Sequence, residues 1–145
     1  MMSAVEEMSL EGFQIVKSEM FLHLPRKADP TCTIWPTKIS FSRMALHALN
    51  NCEFVRLEVN PKTKCLLVSP TPSSDKDSIR WIKGQKEHSV RNMESKVFGD
   101  EIYKAWGLDQ EYNYRTVGRL VSARNKVMLL FDFNDAEMWK TKVRE

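Results

Sequence analysis

The order of the apolar patterning constrains this chain most. Twice between Thr33 and Phe133, an amphipathic helical stretch is followed by two apolar runs joined by a turn. Helix and strand patterns do not exchange places, because an apolar face recurs every 3.6 residues in one and every second residue in the other. In the first passage TIWPTKIS reads as one extended segment, Pro36 forcing its predecessor out of the helical region. Ser40 is placed to cap a helix in which Phe41, Met44, Ala45, Ala48 and Leu49 share one buried face. Asn50-Asn51 ends it. Glu53 to Val59 then alternates, with Val55, Leu57 and Val59 on one face and Arg56 and Glu58 on the other. After the turn Asn60-Pro61-Lys62-Thr63, Lys64 to Ser69 returns as a hairpin partner, stopped by Pro70 and Pro72.

The second passage repeats this order: a helix from about Glu94 to Trp106 stopped by Gly107, a strand from Tyr112 to Val121, a turn over Ser122-Ala123-Arg124-Asn125, and a strand from Lys126 to Phe133. Phe41, Ala48, Leu49 and Asn50 stand 57 positions before Phe98, Ala105, Trp106 and Gly107, and Lys64 to Val68 stands 62 before Lys126 to Leu130. The chain therefore divides into residues 1–32, an N-terminal extension with short strands at Gly12–Val16 and Met20–Leu24; 33–70, a first repeat; 71–93, a basic linker anchored by Trp81; and 94–145, a second repeat. The second repeat is expected to close with a short C-terminal helix over AEMWKTKV, capped by Asn134 or Asp135. The expected fold is α+β, two strand-helix-hairpin repeats forming one compact barrel or sandwich-like core.

At 145 residues and 42% hydrophobic content, one such core is the expected scale. Cys32, Cys52 and Cys65 are odd in number and widely spaced, unlike a disulfide framework or a zinc site, and read as thiols in a reducing cytoplasm. Glu6, Glu7 and Glu11 precede every Lys and Arg, unlike a signal peptide, and no run approaches 18 apolar residues, so no membrane association is expected.

Candidate chemistry is sparse. His23, His47 and His88 have no nucleophile in a recognisable turn, and His47 reads as exposed helix surface. The five glycines are scattered singly, unlike a phosphate-cradling loop. Asp132, Asp135 and Glu137 are close enough in sequence to hold a hard cation, but Asp132 alternates with Phe131 and Phe133 and more simply faces solvent. No catalytic residue, metal or cofactor is expected. Trp35, Trp106, Trp139, Phe54, Phe131 and Phe133 read as core.

The basic residues carry the functional signal. From Lys62 to Lys126 there are 13 Lys and Arg against 8 Asp and Glu, whereas residues 1–61 hold 6 against 7. Arg80, Lys83, Lys86 and Arg91 surround Trp81 in the linker, where a flexible basic loop would follow a phosphate backbone. Arg115 and Arg119 fall on one strand face, to meet either phosphates or cross-strand partners such as Glu58 or Asp132.

The first passage, from Lys38-Ile39-Ser40-Phe41-Ser42 through the helix to Cys65-Leu66-Leu67-Val68, resembles the AbrB-like swapped-hairpin module of bacterial DNA-binding regulators. That resemblance implies a barrel built from two interleaved copies, which one chain with two repeats would supply alone, and DNA contacts near the helix start at Lys38, Ser42 and Arg43. Across residues 37–140, the phrases KISFSRMALHALNNCEFVRLEVNPKTKCLLVSP, DKDSIRW and VMLLFDFNDAEMW are similar to small proteins of phages and integrative elements of gut anaerobes. Some of those are labelled integrase, yet the residues supply neither the arginines, histidine and nucleophilic tyrosine of a tyrosine recombinase nor the carboxylates on a central strand framework of the acidic-triad type. The resulting expectation is a non-enzymatic, cytoplasmic binding protein of a mobile element, monomer or homodimer. It is either a DNA-binding regulator or an inhibitor of a host nucleic-acid-binding defence protein, such as an anti-CRISPR. Lys38, Arg43, Arg80, Lys83, Lys86, Arg91, Arg115 and Arg119 are its expected contact residues.

Overall fold

The structure is a computed structural model and describes residues 5–21, 29–84 and 89–141. After a single 3₁₀ turn at Ser18–Phe21, a hairpin forms from β1 (Thr31–Trp35) and β2 (Lys38–Phe41). The segment read as one extended run thus folds back at Pro36-Thr37. Proline presets the turn dihedral and has no N–H to give a ladder, so it punctuates the strand rather than continuing it. Cys32, Ile34, Ile39 and Phe41 point into the core.

Helix α1 (Arg43–Ala48) begins two residues after Phe41, which belongs to β2. The residue at its cap is Ser42, not Ser40, and Ser42 spends its hydroxyl on the hairpin, accepting from the Thr31 amide at 2.9 Å. Ala45, Leu46 and Leu49 are buried, while Met44 is only half-buried. Asn50 and Asn51, at φ 56° and 57°, end the helix in the left-handed region that asparagine tolerates. The chain then forms the hairpin of β3 (Phe54–Asn60) and β4 (Cys65–Pro70).

The expected linker is stitched into the sheet. A two-residue strand, β5 (Ile79–Arg80), pairs with β3, and β6 (Met93–Glu94) pairs with β2. Trp81 is fully buried, donates its indole N–H to the Cys52 carbonyl at 2.7 Å, and meets the Phe41 ring at 5.4 Å. Helix α2 (Lys96–Trp106) follows, with the Ser95 hydroxyl accepting from the Phe98 amide and Gly107 at φ 64°. Gly99 faces the Pro36 carbonyl so closely that a β-carbon there would collide with backbone, which seats α2 on the β1–β2 turn.

Strand β7 (Tyr112–Ala123) turns tightly at Arg124-Asn125, both at positive φ, into β8 (Lys126–Asp132). The last element is a strand, β9 (Glu137–Lys140), and the expected C-terminal helix is absent from the described part of that segment. Its placement follows from Asp132, whose carboxylate accepts from both the backbone and the side chain of Asn134 and turns the chain so that residues 137–140 run back along β7. Of the strands expected in the N-terminal extension, Gly12–Val16 has no strand structure, and Met20–Leu24 lies partly outside the described residues.

Together these strands form a curled, antiparallel half-barrel in the order β5-β3-β4-β8-β7-β1-β2-β6, with β9 on β7. The curl is made by β7, whose residues 112–117 pair with β9 and β1 and whose residues 118–123 pair with β8. At the changeover Gly118 lies under the Phe131 ring, where a β-carbon would stand 2.5 Å from a ring carbon. A core of Ile34, Phe41, Leu66, Val68, Trp81, Leu129 and Phe131 fills the concave side, with Trp106 and Tyr103 of α2 covering one end. The 62-residue match sets core residues Leu66 and Val68 beside Met128 and Leu130, whereas the inward positions of β8 are Leu129 and Phe131. Among the described residues no helix is long and apolar enough to cross a membrane.

Candidate nucleic-acid interface

The basic residues singled out in the sequence are dispersed over this fold. Lys86 lies outside the described residues. Arg80 is occupied by its own chain, donating to Glu53 at 3.0 Å and to the carbonyls of Ile82 and Gly84 at 3.3 and 2.7 Å. Arg91 donates to the Arg80 carbonyl at 2.7 Å. These bonds fasten the described part of the linker to the sheet edge, with Trp81 in the core rather than available for stacking. Lys83 and Arg43 are exposed, Arg43 at the first residue of α1. Arg119 is exposed on β7, close enough to Asp132 to help lower its pKa behind the two Asn134 hydrogen bonds. Arg115 is held by Glu137 at 2.9 and 3.1 Å, a partner that only the strand form of residues 137–140 supplies, and Glu58 is taken by Arg124 at 2.9 Å. Arg115 and Arg119 are four strand residues apart, about 13 Å by strand rise, with the Gly118 bend between them, so they do not form one compact phosphate clamp.

Lys38 and Arg115 come together with two aromatic residues on the convex face. Directly opposed residues of an antiparallel pair project to the same side of a sheet. Trp139 opposes Asn113 across β9 and β7, and Trp35 opposes Lys38 across β1 and β2; the β1–β7 register brings Trp35 beside Asn113. Trp139, Asn113, Trp35 and Lys38 therefore form one row, and Glu137, Arg115, Thr33 and Ser40 form the next. Because Ile34 and Tyr114 point inward, this row points outward. Both indoles are partly exposed, in contrast to buried Trp81 and Trp106.

The row forms the floor of a groove of about 480 Å³, completed by Pro36, Thr37, Lys140 and Thr141. Lys38 Nζ sits 4.4 Å from the Trp35 ring centroid, and the Arg115 guanidinium 5.4 Å from that of Trp139. Such cation–π contacts hold the indoles in place, and Lys38 and Lys140 put positive charge at the groove wall, the Arg115 charge being balanced by Glu137. Asn113 is nearly buried, and its Oδ1 accepts from the Thr141 hydroxyl at 2.9 Å. The groove thus offers flat aromatic surfaces, amines and hydrogen-bonding groups in one place.

Trp35 and Trp139, expected in the core, are instead turned outward and partly exposed. For Trp35 the signal was available, since alternation from Cys32 and Ile34 turns the next residue outward. For Trp139 it was lost with the strand itself.

Four further groups, Cys32, Cys52, Asp75 and Tyr103, are shifted by features of the fold. Burial pushes the Cys32 thiol up, and burial, partly offset by hydrogen bonding, pushes Cys52 to about 11. Burial also raises Tyr103, whose hydroxyl donates to the Tyr112 carbonyl at 2.6 Å. Asp75 is lowered, first by the Asp77 amide and then by the Thr71 hydroxyl. All three cysteines are free. Glu137 is engaged by Arg115 and Asp132 by Asn134, and among the described residues no three His, Cys, Asp or Glu side chains gather as a metal site. Compared with known proteins, the chain matches no family model, no curated protein and no solved structure.

Proposed function

We propose that this chain is a non-enzymatic nucleic-acid-binding protein, a DNA-binding regulator in the mobile-element setting its sequence resemblance implies. The surface assigned to DNA is the convex groove of Trp35, Trp139, Lys38 and Lys140. The observation that carries the reading is the pairing of two outward indoles with Lys38 and Lys140 in a groove on a sheet face. Aromatic platforms beside cations receive successive bases by stacking while the amines meet phosphates, a combination suited to unpaired bases more than to an intact duplex.

The finer architecture belongs to the same proposal: the half-barrel is two copies of one unit, β1-β2-α1-β3-β4 and β5-β6-α2-β7-β8. The β3–β4 hairpin of one copy has its counterpart in the β7–β8 hairpin of the other, and β1–β7, which joins the copies, has its counterpart in β5–β3. The pairings β2–β6 and β4–β8 join the copies to each other. The counterpart of the β1–β2 hairpin is the Ile82–Val90 bridge, supported by hydrogen bonds from Lys83 to Ser89 and from Arg91 to Trp81, which draws the two ends of the sheet together. This arrangement is the one expected of an AbrB-like barrel supplied by a single chain.

The test is fluorescence anisotropy with labelled single-stranded and duplex oligonucleotides. Base stacking on an aromatic is worth about 1–3 kcal/mol, so replacing Trp35 and Trp139 together with alanine is expected to weaken single-strand binding at least tenfold. Wild-type protein that binds neither form at low salt overturns the reading and favours the protein-inhibitor role.

A further inference from the structure

The described N-terminal segment, residues 5–21, presents exposed apolar side chains. Val5, Met8, Leu10, Phe13, Ile15, Val16 and Met20 are each between 63% and 96% exposed. Its internal order comes from a turn at Leu10–Phe13 with Gly12 at φ 89°. Phe13-Gln14-Ile15-Val16 then alternates with strong strand-forming residues. A run of this kind left uncovered is a docking element.

The sheet offers a matching edge. Among the described residues β9 pairs only with β7, leaving one side of a four-residue strand unpaired. Met138 opposes buried Tyr114 and so lies on the concave side, yet remains 50% exposed, with no strand beyond it among the described residues. An added strand would pair the free backbone groups and cover this side chain, as in β-augmentation. The β9 strand itself is neutral, with one Glu and one Lys, but residues 5–21 hold four Glu and one Lys while the whole chain carries +3, leaving the rest of the chain at +6, so the segment of one copy is attracted to the body of another.

We infer that Phe13–Val16 of one copy adds as a strand to the β9 edge of a second copy, and that the exchange is reciprocal, giving a homodimer. The inference is independent of the nucleic-acid reading. It is tested on the full chain by sedimentation, comparing wild type with Phe13→Asp plus Ile15→Asp, exposed positions whose change leaves the core untouched. A dimer that becomes monomeric supports the inference; a wild-type monomer at high micromolar concentration, or a dimer indifferent to these changes, overturns it. A second measurement introduces Ile15→Cys and Met138→Cys with Cys52→Ser and Cys65→Ser. Oxidation to a covalent dimer supports docking on a second copy. An intramolecular disulfide places the segment on its own chain, and the absence of either disulfide removes the docking, so both overturn the inference.

Discussion

Replacing Gly118 with alanine tests how the sheet acquires its curl. The new β-carbon would stand 2.5 Å from one carbon of the Phe131 ring and 2.8 Å from two others. That ring is fully buried and packs at 5.6 Å on Phe41, which in turn meets Trp81, so it has no solvent side toward which to move. Either the ring leaves its favoured position or β7 shifts against β8. Overpacking of this kind costs about 1–3 kcal/mol. At this chain length that corresponds to a drop in melting temperature of roughly 3–12 °C. Thermal denaturation followed by circular dichroism measures it, with Val117→Ala as a control on the adjacent, more exposed residue. Coupling provides the sharper check. Phe131→Leu alone loses buried ring area, but in the Gly118→Ala background it also relieves the clash, so the double variant should lose less stability than the sum of the two single changes. A Gly118→Ala protein as stable as wild type, or strict additivity with Phe131→Leu, would refute this account of the bend.

Two further expectations follow from the buried groups. Trp81→Phe keeps an aromatic ring against Phe41 but leaves the Cys52 carbonyl without its indole donor, and urea denaturation should show a loss of about 1–3 kcal/mol; an unchanged midpoint would mean that the linker is not anchored there. Burial raises Cys52 from its ordinary 9.0 to about 11 and raises Tyr103 as well, so the native chain holds these protons more tightly than the unfolded one. Their contribution to stability is therefore complete below pH 9 and declines as pH climbs from about 9 toward 11. Urea midpoints across that range should fall, less steeply in Cys52→Ser, and a flat profile would contradict the burial of both groups.

Much of the local structure was legible because its physical causes are local. Gly107 ended α2, Asn50-Asn51 ended α1, and the alternation of residues 55–59 and 66–68 marked the β3–β4 hairpin. The errors arose where tertiary contacts decide between local alternatives. Phe41 fits a helical period from Met44 onward, yet the β1–β2 hairpin claims it, and Ser42 serves that hairpin through its hydroxyl. AEMWKTKV has adequate helix propensity, but the described residues 137–140 form a strand because the Asp132–Asn134 turn delivers them to β7, a relation no window of sequence contains. The same error concealed the groove. Once β9 is a strand, Trp139 faces outward beside Asn113 and Glu137 faces Arg115. The basic linker misled for a related reason: charge counted along the chain does not reveal that Arg80 and Arg91 are spent on nearby acceptors.

The convex groove is the surface proposed to meet nucleic acid. Backbone amide chemical shifts recorded during titration with a short single-stranded oligonucleotide test this directly. The largest changes are expected at residues 35–38, 113–115 and 137–141, and they should weaken with rising salt as phosphate contacts are screened. Changes confined instead to residues 79–84 and 89–91, or to the Arg119–Arg124 end of β7, would contradict it and return the function to the basic residues that the sequence alone had favoured.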